Sequence, residues 1–194
     1  MNKIVKLTLI LFLVCAVVAG VLGGVNYITK DRIAEQNREK TEKAYRVVLA
    51  ADSYTDVEFD PSDPVFAHVT AISRADNGAG YVVVTSTSGA QGAITLATGV
   101  TTNMKCTGIS VISHSETAGL GAVAASATEA GIAFRNQFIG EQSDIALDDF
   151  GGNIDALTGA TITSKAIVNA VGEAIDAASK LITDETNSRE GGAQ

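Results

Sequence analysis

The sequence predicts an α+β protein: a single N-terminal transmembrane helix, then one domain in which helices pack on an antiparallel-type sheet. Three observations predict it. An uncharged run extends from Leu7 to Thr29; as a helix rising about 1.5 Å per residue, it suffices to cross the roughly 30 Å apolar core of a bilayer. Between 65 and 113, short segments rich in Val, Ile and Thr alternate with turn residues, the mark of strands. From Ile167 to Ile182, apolar residues recur three and four apart, the mark of an amphipathic helix.

Lys3 and Lys6 precede the apolar run, and Lys30, Asp31 and Arg32 close it. A cleavable signal peptide would have a shorter apolar core and an A-x-A site, of which Ala16 to Gly20 offers only a poor version. A lipoprotein signal would want a small residue before Cys15, where Val14 stands. A retained anchor over residues 1–30 fits best. Lysines on the N-terminal side keep that end in the cytoplasm, so the remainder is expected outside the cytoplasmic membrane.

Residues 31–64 read as a stalk helix and a linker. The helix covers Asp31 to Ala51, with Ile33, Ala34, Ala44, Val47 and Val48 as its apolar points; the linker, Ser53 to Pro64, is acidic and holds both prolines. Residues 65–183 form the domain. Its β-rich part begins over Val65 to Ser73. Tyr81 to Thr87 is a strand whose Val82, Val83 and Val84 suit burial on both faces. After a turn at Ser88-Gly89 come strands over Gln91 to Thr98, extending toward Val100, and over Cys106 to Ser113. Thr128 to Phe138 reads as a short helix with Ile132, Phe134 and Phe138 turned inward. An acidic stretch, Ile145 to Asp149, leads through Phe150 to a Gly151-Gly152 turn. Residues 184–194 read as a polar, disordered tail.

The chain has 14 basic and 22 acidic side chains. Three of the basic residues and none of the acids lie in the first thirty positions, so the body is strongly acidic and nucleic-acid binding is excluded. Cys15 lies inside the apolar run and Cys106 in an apolar strand, so they are not expected to pair. No Cys/His spacing calls for a metal. No G-x-G-x-x-G follows a strand and no P-loop is present, which argues against oxidation of NADH or hydrolysis of a nucleotide by this chain alone.

Two stretches carry chemistry. Asp155 to Ser164 reads D-A-L-T-G-A-T-I-T-S and runs directly into the amphipathic helix. Free amides at a helix start attract a phosphate, Gly159 allows close backbone approach, and small Ala160 leaves room. Thr158, Thr161, Thr163 and Ser164 supply four hydroxyls. The plain alternative is that they merely cap the helix. The second stretch, His114 to Gly121, reads H-S-E-T-A-G-L-G. Its glycines mark either a loop that approaches a ligand closely or an ordinary strand-to-helix turn.

The first stretch resembles the flavinylation motif D-x-x-[ST]-G-A-T, and the second a companion signature, H-x-E-T-P-G-L-G, with Ala118 in place of the proline. Both belong to a family of FMN-binding subunits in ion-pumping respiratory complexes: the G subunit of the Rnf complex and the C subunit of the Na+-translocating NADH:quinone reductase. The resemblance implies that residues 65–183 are an FMN-binding domain, with FMN joined through its phosphate to Thr161 by an FAD-dependent flavin transferase. It implies that Asp155, Thr158, Gly159 and Ala160 complete the recognition sequence, with Thr163 and Ser164 nearby. By the same resemblance Glu116, Thr117, Gly119 and Leu120 lie near the flavin, and His114 either joins them or orients the loop. No residue is expected to be catalytic.

The implied role is electron relay in an Rnf-type ferredoxin:NAD+ oxidoreductase, whose other membrane and soluble subunits would be partners. The alternatives are the corresponding C subunit of the quinone reductase, disfavoured because that chain is usually longer, and an anchored binding module without a redox role. The anchor reading makes a direct prediction: a phosphatase reporter fused after Gln194 is active outside the cytoplasm, and an activity confined to the cytoplasm would reverse the topology.

Overall fold

A computed structural model describes residues 3–142, 144–148 and 151–191, without the side chains of 188–191. Asp149 and Phe150, expected to lead into the Gly151-Gly152 turn, lie outside the described residues, as do 192–194. The chain divides into one unit up to Lys40 and a second from Thr41 onward.

Helix α1, Lys3–Val48, is continuous through the predicted anchor and stalk. The reason is compositional: no proline interrupts it, and glycine is absent after Gly24. It is long and apolar enough to cross a membrane, and every residue from Lys3 to Ile28 is exposed. Its last turns belong to the second unit. There Ala44, Tyr45 and Val48, with Leu49 just beyond, pack against Ala75, Val82, Val84 and Ala97. Val47, predicted as a packing point, is exposed; Tyr45 and Leu49 hold the face instead.

The sheet is an antiparallel meander in the order β1-β2-β3-β4-β5. Its strands are Tyr54–Asp56, Val69–Ala75, Gly80–Ser88, Ala93–Thr101 and Cys106–His114. Four strands follow the sequence reading closely. The fifth, β1, falls inside the segment predicted to be linker. It is held at the edge of the sheet by pairing with β2 and by Ser53 and Thr55 donating to Asp76 at 2.5 and 2.7 Å. The valine run of β3 is buried on both faces: Val82 and Val84 meet the end of α1, and Val83 meets the opposite layer.

A short 3-10 turn, Gly121–Ala125, precedes α2, Glu129–Asn136. Phe134 and Phe138 stack edge to face in the core at 5.4 Å. Ile132 faces outward, 43% exposed, against expectation: at two residues from Phe134 it falls on the other side of the helix. Cys106, in β5, is buried, and Cys15, in α1, is exposed.

On the sheet face opposite the last turns of α1 lies α3, Thr161–Gly191, which packs on β3 and β4. Ile167, Val168, Val171, Ala174, Ile175 and Ala178 are buried on it as predicted, with Ala170 and Ala177 between them. Each large aliphatic side chain buried this way contributes about 1.5–3 kcal/mol. The helix does not stop where a disordered tail was predicted at 184; it runs to Gly191. No glycine or proline falls between Thr183 and Glu190, and Glu185 ties this end to the sheet. It accepts from the Tyr81 hydroxyl at 2.6 Å and from Arg74 at 3.5 Å. Burial and the Glu185 carboxylate push the Tyr81 pKa up to about 12.

Thr85 and Thr98 are wholly buried, and among the described residues their hydroxyls have no hydrogen-bond partner. Replacing Thr98 with the isosteric valine removes that cost. Thr98→Val is expected to stabilise the full-length protein by about 1 kcal/mol, seen as a thermal midpoint raised by about 2–4 °C in detergent.

Candidate functional site

The site forms where the two predicted stretches meet at the start of α3. Leu157 to Ala160 make a tight turn closed by the Ala160 amide donating to the Leu157 carbonyl at 2.9 Å. Gly159 sits in this turn at φ +72°, a left-handed conformation that glycine adopts without cost. The first helical hydrogen bond of α3 is donated by Ser164 to Ala160, at 2.9 Å. The amides of Thr161, Ile162 and Thr163 precede it and point out of the helix end.

The structure sorts the four hydroxyls into two pairs. Ser164 is buried, and its Oγ accepts from the Leu157 amide at 2.9 Å, bracing the turn from inside. Thr163 is buried and donates to Oε2 of Glu116 at 2.5 Å. Thr158 and Thr161 are exposed. Of the predicted set, then, Thr163 and Ser164 are spent inside the fold, while Thr158 and Thr161 are presented. Only Thr161 stands at the helix start beside the open amides.

Glu116, expected near a ligand, is also internal, at 8% exposure. Its Oε1 accepts from the Gln91 amide at 3.0 Å, on the β3–β4 turn. Its own amide donates to Nδ1 of His114 at 3.2 Å, so His114 orients the loop. Burial raises the Glu116 pKa. The Gln91, Thr163 and Ala90 hydrogen bonds, with His114 nearby, outweigh burial and hold it below the ordinary carboxylate value. Thr117, Gly119 and Leu120 are exposed. Leu120 lies against the motif turn: a Cβ at Gly159 would stand 3.2 Å from its Cδ2.

A groove of about 420 Å³ opens beside this turn, bounded by Gly119, Leu120, Val123, Phe134, Leu157 and Thr158, a size usual for small-molecule sites. Sequence reasoning missed the α2 wall of this groove. It also missed Gln137, whose side chain brackets the backbone of Asp155 by accepting at 2.7 Å and donating at 3.3 Å. A polar residue facing out of a short helix gives no sequence signal for that. Asp155 itself is exposed. A larger cleft of about 600 Å³ lies at the far end of α3, around Arg74, Tyr81 and Glu185, and contains none of the motif residues.

An exposed threonine on an anion-favouring helix end, beside an apolar groove, suits a ligand with a phosphate and a flat ring. The family model described as FMN-binding domain matches residues 89–176, which include both stretches. The model described as RnfG N-terminal region matches residues 1–48, which include all of α1. These define the class: an FMN-binding domain on an N-terminal apolar helix. Similar proteins include the G subunit of the ion-translocating oxidoreductase complex of Methanosarcina acetivorans, 32% identical over 90% of this chain and 94% of that one. The G subunit of the Na(+)-translocating ferredoxin:NAD(+) oxidoreductase complex of Acetobacterium woodii is 33% identical over 88% and 89%. The crystal structure of the C subunit of the Na(+)-translocating NADH-quinone reductase from Parabacteroides distasonis shares the fold. Its TM-score is 0.53 at 18% identity, over 80% of this chain and 96% of that one. The chain belongs to the family of G subunits of ion-translocating oxidoreductase complexes.

The depressed Glu116 pKa has a consequence for stability. A carboxylate with a lower pKa when folded stabilises above its unfolded pKa, about 4.3, and that contribution disappears as pH falls through the folded value. Glu116→Gln is therefore expected to be less stable than the parent at pH 7. The gap in denaturant midpoint should hold from pH 7 down to about pH 4 and close as the pH falls further; a gap that persists unchanged well below about pH 4 would contradict this assignment.

Proposed function

We propose that this chain is the FMN-carrying electron-relay subunit of a membrane ion-translocating ferredoxin:NAD+ oxidoreductase, with the flavin joined covalently to Thr161. The observation that carries the acceptor assignment is the sorting of hydroxyls. Of four in the motif, Thr161 alone combines an exposed side chain with a place among the open amides of the α3 start.

Thr161 Oγ1 takes the FMN phosphoryl group from FAD on a flavin transferase. Its proton leaves, a P–O bond to Oγ1 forms, and the bond between the two phosphates of FAD breaks with release of AMP. The amides of Thr161 to Thr163 and the positive end of α3 would hold the phosphate. Asp155 and Thr158, exposed on the same turn, are the surface the transferase reads. Leu120 and Val123 would offer apolar surface to the ring, while the chain contributes position and environment and no acid or base. FMN, when bound, supplies one- and two-electron redox chemistry.

The Acetobacterium woodii relative and the corresponding G subunit of Clostridium ljungdahlii, 32% identical over 90% of this chain, are both named as parts of ferredoxin:NAD(+) complexes. They differ in the ion named, Na(+) in one and protons in the other. We infer the same electron route here, with the remaining subunits of that complex as partners. The FMN domain lies outside the cytoplasmic membrane and α1 anchors it. The quinone-reductase alternative rests on shared fold alone.

Co-expression with a flavin transferase, followed by intact-mass measurement and fluorescence of the denatured chain, tests the assignment. Wild type and Thr158→Ser are expected to gain an FMN-sized adduct, and Thr161→Ala to remain folded and unmodified. An adduct surviving in Thr161→Ala would refute the acceptor.

A further inference from the structure

We propose that Glu116 is a positioning residue: it locks the loop of Leu120 and the first turn of α3 together, so that the Thr161 hydroxyl stands in one fixed place. This rests on Thr161 being the acceptor. It departs from the expectation that Glu116 itself meets the flavin.

The carboxylate occupies a recess built from three separate parts of the domain. From the β3–β4 turn comes the Gln91 amide, at 3.0 Å from Oε1. From the first turn of α3 comes the Thr163 hydroxyl, at 2.5 Å from Oε2. The loop itself supplies Glu116, with His114 accepting its amide. The walls are glycine where any side chain would intrude. A Cβ at Gly89 would collide with Oε1, and one at Gly121 with both Oε2 and Thr163 Oγ1. Neither glycine has a positive φ, so close approach to the carboxylate explains them better than backbone conformation does.

The consequence lies two residues away. Thr163 and Thr161 occupy the same first turn, one inward and one outward. Fixing Thr163 fixes the rotation of that turn about the helix axis, and hence the direction in which Thr161 projects. Ser164 does the same for the preceding turn through the Leu157 amide. A charge-assisted hydrogen bond of this kind is about twice as strong as a neutral one. Placed at the junction of three segments, it converts local order into a fixed orientation of one exposed hydroxyl.

The test uses the full-length chain in detergent, unmodified, given purified flavin transferase and FAD, with mass gain followed over time. Thr163→Ser keeps the donor and is expected to react at the wild-type rate. Thr163→Val, Glu116→Gln and Gly121→Ala are expected to react about tenfold more slowly. Hydrogen exchange on the unmodified Thr163→Val protein should quicken together in residues 114–121 and 158–164, with 171–182 unchanged. The proposal is overturned if Thr163→Val reacts like wild type, if the two segments do not quicken together, or if all of α3 loosens. Should wild type gain no mass, the acceptor assignment fails, and the exchange comparison alone decides whether the lock exists.

Discussion

Everything in the domain depends on the seating of α3 against the sheet. Ala170, Ala174, Ala177 and Ala178 keep that face of the helix thin, while Ile167, Val171 and Ile175 fill the space beside them. A close-packed interior tolerates little sliding. The helix therefore has one axial position on β3 and β4, and its first residue is delivered to one place. Polar contacts reinforce the seating along its length: Lys180 pairs with Asp63, and His68 hydrogen-bonds to Glu173. Both are partly exposed, so each adds little beyond orientation.

From that fixed axis the ten residues of the motif alternate between structure and display. Leu157, Ala160, Thr163 and Ser164 are buried; Asp155, Thr158, Gly159, Thr161 and Ile162 are exposed. The inward group closes the turn and bonds to the core. The outward group carries a carboxylate, two hydroxyls and an apolar side chain at 66% exposure. A short segment can hold both sets because a glycine turn followed by a helix start swings successive side chains through wide angles.

Much of this was readable in the sequence, and the limits are physical. The stripe on α3 and the runs of β3, β4 and β5 have strong periods, so their placement needed no tertiary knowledge. The edge strand Tyr54–Asp56 has three residues and no period; its strand state comes from β2 and Asp76. The extension of α3 past 184 depends on Tyr81 and Arg74, far away in sequence. Motif spacing singled out Thr161 and Leu120. It did not divide the hydroxyls into buried and exposed, because that depends on which face of the first turn meets Glu116, 47 residues earlier.

This division lets a segment that displays polar side chains also serve as a foundation. If recognition and packing shared side chains, each would compromise the other: a buried hydroxyl is inaccessible, and an exposed one holds nothing. Here the Asp155 backbone is held by Gln137 while its side chain remains exposed. Thr161 is exposed beside Thr163 and Ser164, which bond inward, and its own hydroxyl has no partner among the described residues. The fold thus uses main chain and adjacent residues to hold this segment, which leaves the groups it presents exposed.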